Sequence, residues 1–304
     1  MKNCDVRGDF HVPGNVTRFY DIDQSGTILY ECNSYGFRSE EYDPLAEFRI
    51  CVIGESNAVG VGISLEDTFG YKLKQHMSAS LRLDLDKINL INLSVAGASA
   101  DYCVRTLYRQ ISDCDMDLVV CQLPHPGRTE YLDESGYHPC NVNAVRIAKL
   151  ASAPAPLLAY CDYYNESVGM INLVKNALQA QAFLKERNIQ YVLATQFLPR
   201  STGKHSYLGD YFDRLDASAV LWHEYFIQLA DQAADKRHAG RLSHAAFAIE
   251  LLDFFGRMQI DRGNEDLGRR VKDYAAHLKA NDKDWKSWND FAAAANAQRK
   301  NTSI

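Results

Sequence analysis

Apolar positions in this chain fall into short runs of four to seven residues, separated by longer stretches in which they recur with helical spacing. The first run, Ile50-Cys51-Val52-Ile53, is unbroken, as expected of a strand buried on both faces in a parallel sheet covered by helices. Ile88 to Leu93 (INLINL), Asp117 to Leu123 (DLVVCQL) and Gln190 to Thr195 (QYVLAT) repeat the pattern. Between them, Glu66 to Met77, Asp101 to Ser112 and Val168 to Arg187 have helical period, so strands and helices alternate and predict an α/β fold. Further helices are predicted over 217–233 and from the segment after Gly240 to Phe255, where Gly256 reads as a stop. Residues 129–165 show no clear period and read as a long inserted loop, of the kind that usually serves as a lid or pocket.

Three parts follow from this pattern. Residues 1–48, rich in turns and aromatics, form an amino-terminal cover in which short segments such as Thr27 to Cys32 suit a hairpin or an edge flap ahead of the first core strand. Residues 49–256 hold the α/β domain. Residues 257–304 are more polar and carry two amphipathic helices, Asp266 to Ala280 and Trp285 to Gln298, which pack on the core, join a partner subunit in a homo-oligomer, or fray.

Composition narrows the function. With 46% hydrophobic and 24% charged residues over 304 positions, the chain is of ordinary globular type. A net charge of -6 and a pI near 5.9 with no basic stripe argue against nucleic acid as partner. No stretch of eighteen apolar residues occurs and the amino terminus has no apolar signal core, so no membrane partner and a cytoplasmic location are expected. The eight cysteines are irregularly spaced, with no CxxC pair; free thiols are expected, and no metal.

The candidate chemistry starts where the first run ends. Gly54-Glu55-Ser56-Asn57 leads into a small-residue loop through Gly62, which places Ser56 at the carboxyl end of a buried strand, where open α/β sheets bind ligands. Ser56 is a candidate nucleophile; a phosphate-cradling loop or a helix cap are the alternatives for the same residues. The glycines do not spell Gly-x-x-x-x-Gly-Lys-Ser/Thr, and GESNA is not the Gly-x-Ser-x-Gly elbow. A nucleophilic serine needs a base and a group to orient it. Asp235 and His238, three residues apart ahead of a helix, can present a carboxylate and an imidazole to one pocket.

Together Gly54-Glu55-Ser56, Gly97 within NLSVAGAS, and Asp235-Lys236-Arg237-His238 resemble the blocks of the SGNH (GDSL-type) hydrolase family, over about residues 33–255. The lead-in NSYGFRSEEY is similar to an N-x-x-G-F/Y-R-S/G segment seen ahead of the serine strand in GDSL-type proteins. The resemblance implies a three-layer α/β/α sandwich with a flavodoxin-like parallel sheet of about five strands. It implies a serine-dependent ester hydrolase, an esterase or deacylase acting on a small-molecule or carbohydrate-linked ester and needing no cofactor. Ser56 is then nucleophile, His238 base and Asp235 the residue that orients it. The N–H groups of Ser56 and Gly97 form the oxyanion site, and Asn57 and Arg128 are candidate substrate contacts. Two departures stand out: Glu55 replaces the family's Asp, and DLVVCQL runs into Pro124-His125-Pro126 with no Gly-x-Asn-Asp block. His125 lies in the register of the missing asparagine and is a candidate third oxyanion donor; a plain loop residue is the alternative. An O-acyltransferase with the same site and an inactive binding protein are the rival functions. His244 reads as a packing or surface residue rather than a base, and His205, His223 and His277 as structural.

Overall fold

The computed structural model describes residues 18–21, 27–133, 136–141, 155–198, 207–227 and 229–302. β1 (Arg18–Asp21) and β2 (Thr27–Tyr30) pair antiparallel, which makes the predicted amino-terminal hairpin. The main sheet comprises β3 (Phe48–Ile53), β4 (Ile88–Asn92), β5 (Leu118–Gln122), β8 (Gln190–Thr195) and β9 (Val220–Trp222), with a separate hairpin of β6 (Arg128–Asp133) and β7 (Gly136–Asn141). All pairings in the main sheet are parallel, in the order β4-β3-β5-β8-β9. Renumbered within the sheet that is 2-1-3-4-5, the flavodoxin-like order, with its switch point between β3 and β5. Every residue of β4 and β5 is buried, which is why these strands read as continuous apolar runs.

The helices are α1 (Ser56–Val59), α2 (Phe69–Leu81), α3 (Ala100–Thr106), α4 (Ala155–Tyr163), α5 (Glu166–Glu186), α6 (Gly209–Phe212), α7 (Arg241–Asp261), α8 (Glu265–Asn281) and α9 (Lys283–Thr302). α2 packs with α7 and α8 in one layer, and α3 with α5 in the other, which gives the three-layer α/β/α sandwich. The outer edge of β4 is closed by the lead-in segment. Leu90 N–H donates to Glu40 Oε2 (3.0 Å) and Asn92 N–H to Ser39 Oγ (2.8 Å), so side chains satisfy donors that would otherwise invite another strand.

Several sequence expectations are corrected. The helix expected over 217–233 is instead a 3-10 turn, Ala217–Ala219, followed by β9, the edge strand of the sheet. Within 129–165, the described residues form the β6–β7 hairpin and α4 rather than an irregular loop. Gly256 does not stop its helix, since α7 continues to Asp261. A β-carbon there would sit 2.9 Å from Lys272 N and 3.1 Å from Gly268 O, so the glycine serves the close approach of α8. The carboxyl-terminal helices therefore pack on the core: Lys279 reaches Glu250 (3.0 Å) and Asp253 (2.9 Å) of α7, and the Trp288 ring lies tilted against Tyr225 with centroids 4.2 Å apart. The free thiols expected of the cysteines are found at Cys32, Cys51, Cys103, Cys114, Cys121 and Cys161, all buried. Among the described residues no helix is long and apolar enough to cross a membrane, and no cluster of His, Cys, Asp and Glu could hold a metal.

Two buried histidines make stability depend on pH. His244 is wholly enclosed, its Nδ1 accepting from Phe69 N–H (3.1 Å) at the start of α2, and His223 is enclosed among Phe226, Phe247 and Tyr225. Burial pushes both imidazoles down to about 3. A folded value below the unfolded one, about 6.5, means that the unfolded chain binds more protons between the two. Stability is complete above that unfolded value and is lost as pH falls from it towards about 3. The expected result is a Tm that falls steadily between pH 6.5 and 4. His223→Phe should flatten that slope by removing one of the two rings that take up a proton on unfolding, and among the described residues neither ring nitrogen of His223 has a hydrogen-bond partner to lose; an unchanged slope would remove His223 as a cause.

Candidate active site

Ser56 follows β3 after Gly54 and Glu55, opening the short helix α1 on the carboxyl side of the sheet. Its loop is fixed from below. Asn33 Oδ1 accepts from Tyr35 N–H (3.1 Å) and Phe37 N–H (3.0 Å), which folds the NSYGF turn and seats Phe37 in the core. The next residue, Arg38, is buried and donates to three carbonyls of the Ser56 loop: Val59 O (3.2 Å), Gly60 O (2.7 Å) and Ile63 O (2.9 Å). Its guanidinium carbon also lies 4.1 Å from the centre of the Tyr30 ring, and Tyr30 Oη accepts from Gly62 N–H (2.7 Å). The lead-in thus anchors the serine loop, a role its resemblance to a family segment did not reveal. Arg38→Leu should strand those carbonyls and cost about 3 kcal/mol, read as a shifted denaturant midpoint. Arg38→Lys should recover only part, since one ammonium cannot span the fork; full stability in Arg38→Leu would refute the anchor.

The Asp235 loop docks onto the Ser56 loop. Ala234 N–H donates to Gly62 O (2.9 Å), and a β-carbon on Gly62 would meet Ala233 Cβ at 2.8 Å and Asp235 Cγ at 3.4 Å. With φ of +81° as well, position 62 suits glycine on two counts. Asp235 Oδ1 accepts from the N–H groups of Arg237 and His238 (both 3.0 Å), while Oδ2 is hydrogen-bonded to His238 Nδ1. Burial raises the Asp235 carboxyl, but the bonds from the His238 N–H, its ring and the Arg237 N–H outweigh it and hold the group below its ordinary value. Asp235 is therefore ionised at neutral pH, and His238 Nδ1 carries the proton that it donates. Nε2 of the neutral ring is left as a proton acceptor. The ring itself is partly open, at 27% exposure.

Glu55 collects the remaining polar groups. Ser56 Oγ donates to Glu55 Oε2 (2.7 Å), Asn57 Nδ2 to Oε1 (2.6 Å) and Arg128 Nη2 to Oε2 (2.9 Å). Burial raises this carboxyl, yet Arg128, the Ser56 and Asn57 bonds and nearby His238 together hold it below the usual range. The serine hydroxyl is turned to Glu55 and not to His238. Asn57 and Arg128, expected as substrate contacts, are both committed to Glu55. Ser56 itself is buried, at 4% exposure, and not on an open turn. Gly97, at φ +84°, lies in the loop beyond β4, next to β3 in the sheet. Among the described residues neither the Ser56 nor the Gly97 N–H has a hydrogen-bond partner.

His125 sits in the turn after β5, its ring edge-on to Phe197 at 4.8 Å. Nδ1 accepts from Gly127 N–H (2.9 Å), so a neutral ring must carry its proton on Nε2. Burial, then the Arg128 charge, lower its basicity against the opposing pull of Glu55. His125 is thus held as a neutral N–H donor. His244 is in the core, His277 is on α8 beside Asn281, and His205 lies outside the described residues.

No protein-family model matches the chain, and no curated protein sequence matches it significantly. Among solved structures, it is similar to the psychrotrophic esterase EstA from Pseudoalteromonas sp., at 15% identity and a TM-score of 0.43, over 69% of this chain and 98% of that one. It is also similar to the acetyl xylan esterase AlAXEase, at 10% identity and a TM-score of 0.41 over 67% and 98%. A third similar structure is LAE5, an alpha/beta hydrolase enzyme from the metagenome of Lake Arreo, Spain, at 15% identity and a TM-score of 0.41 over 70% and 97%.

Proposed function

We propose that this chain is a serine-dependent ester hydrolase of SGNH (GDSL-like) type. The observation that carries the reading is the Asp235–His238 pair on a loop hydrogen-bonded to the loop of Ser56. The reading requires the Ser56 hydroxyl to leave Glu55, to which it donates in this structure, and to donate to His238 Nε2 instead. Catalytic hydrogen bonds that form only with substrate bound are common. Ser56 Oγ then attacks the ester carbonyl as its proton passes to His238, and Asp235 stabilises the imidazolium. The developing oxyanion accepts from the Ser56 and Gly97 N–H groups and from His125 Nε2–H. His238 next returns the proton to the departing alcohol, and water repeats the sequence to free the acid and the serine. Glu55, ionised and bonded to three donors, is a weak base; its part is to hold Asn57 and Arg128 in place beside the nucleophile.

A screen of short-chain p-nitrophenyl esters, with fluorophosphonate labelling, tests this reading. Turnover and stoichiometric labelling of wild type are expected, with labelling absent from Ser56→Ala. A protein that neither labels nor turns over any ester would instead fit a binding protein with its serine held by Glu55.

His125→Ala should lower kcat on the order of 100 to 1000-fold with little change in KM, the usual cost of one oxyanion donor. His125→Asn should recover part of that loss, because an amide N–H replaces the ring donor. Equal activity in the three proteins would leave the backbone amides as the only oxyanion donors.

A further inference from the structure

A cleft of about 330 Å³, within the roughly 300 to 1,000 Å³ usual for small-molecule sites, opens between α3, α4, α5 and the start of β6. Its walls differ in kind. One is aromatic and aliphatic, formed by Tyr160 and Tyr163 of α4 and Ile171 of α5. Tyr163 is 69% exposed and Ile171 46%, two large apolar surfaces left to water at one concavity. The other wall is a hydrogen-bonded set. Asn172 Nδ2 donates to Asp101 Oδ2 (2.7 Å), and Lys175 Nζ donates to Asn172 Oδ1 (2.6 Å) and lies 3.8 Å from Asp101 Oδ1. Thr129 adds a hydroxyl.

This lining discriminates among ligands. A phosphate or carboxylate would find the Lys175 charge already offset by Asp101. A hydrocarbon chain would strip water from the donors and acceptors that the polar wall still offers and put nothing in its place, at a cost. A pyranose ring has an apolar C–H face to lie on a tyrosine and a rim of hydroxyls that both donate and accept, which matches the two walls. We propose that this cleft is a carbohydrate subsite that holds a neutral sugar ring.

Its position ties it to the candidate active site. Thr129 directly follows Arg128, whose guanidinium binds Glu55, and Asp101 lies four residues beyond Gly97. Arg128 and Thr129 are successive residues of β6, whose side chains leave a strand on opposite faces, so the cleft and the candidate site share that strand as a common wall. That the sugar is the alcohol part of the ester rests on the hydrolase reading above; sugar binding itself does not.

The test uses the full chain carrying Ser56→Ala, titrated calorimetrically with neutral tetrasaccharides of glucose, xylose, mannose and N-acetylglucosamine. At least one should bind with a Kd of about 1 mM or tighter. Adding Tyr163→Ala, at an exposed position where folding is not at risk, should weaken that binding about tenfold, as should adding Asn172→Ala. In protein with Ser56 intact, Tyr163→Ala should raise KM about tenfold for the acetylated form of that sugar, with kcat unchanged and p-nitrophenyl acetate turnover unaffected. No binding of any tetrasaccharide, or binding indifferent to both substitutions, overturns the proposal. So does a Tyr163→Ala penalty confined to long-chain p-nitrophenyl esters, which would make the cleft an acyl pocket. Sugar binding that obeys both substitutions, in a protein that turns over no ester, would sustain the subsite and sink the hydrolase reading alone.

Discussion

Ser56→Ala is expected to lower kcat for ester turnover on the order of a million-fold, to the residual rate supplied by binding and the oxyanion donors. The loss should be in kcat, since the hydroxyl is the group that forms the acyl intermediate, while KM changes little. Stability should fall as well, because Ser56 is buried and donates to a buried carboxylate; about 1 to 2 kcal/mol is the scale of such a bond. The fold should survive, because Asn57 and Arg128 still hold Glu55. A thermal melt and a fluorophosphonate titration on one preparation separate the two effects. A folded Ser56→Ala protein that turned over esters at the wild-type rate would end the nucleophile assignment.

What the sequence exposes and hides follows from physical causes. β3, β4, β5 and β8 are legible because burial on both faces demands unbroken apolar runs, and four such runs with intervening helices leave few architectures. β9 is hidden because three residues, Val220-Leu221-Trp222, are too few for any period, and the apolar positions around them mimic a helix. The β6–β7 hairpin escapes because its strands mix polar residues with Pro139, and only long-range pairing makes them a hairpin. Gly256 misleads because glycine serves both helix ends and close helix packing, and local sequence cannot tell which.

The candidate site divides in the same way. Ser56, Asp235 and His238 are visible as short blocks, because one turn presents the serine and another sets a carboxylate three residues from an imidazole. The connections among distant segments are not visible: Arg38 gripping a loop more than twenty residues away, or Arg128 reaching Glu55 across 73 positions. An arginine beside a core-directed aromatic, Phe37-Arg38, was the available clue, since a guanidinium forced inward must find acceptors.

Asp235→Asn should lower kcat about 10,000-fold while leaving the loop folded. The amide oxygen can take over from Oδ1 and keep accepting from the Arg237 and His238 N–H groups. In place of Oδ2 the variant presents an NH₂ group, which needs an acceptor and so turns His238 Nδ1 from donor to acceptor. The ring proton then moves to Nε2, where it faces the serine, and the imidazole can no longer take the Ser56 proton. The carboxylate's low pKa sets the pH behaviour. Because its folded value lies below the unfolded one, near 3.9, its stabilising contribution is present above that unfolded value and lost only as pH falls through the folded one. Asp235 thus stays ionised through a neutral assay range, and its protonation should not limit kcat/KM there. In the double variant Ser56→Ala/Asp235→Asn no further loss is expected, since residues that act as a unit do not add. Glu55 supplies the opposing outcome, for its carboxylate is the group that accepts the serine hydroxyl in this structure. If Asp235→Asn kept kcat within a few-fold while Glu55→Gln abolished turnover in a folded protein, the base would be Glu55, and the Asp235–His238 pair would only support the loop.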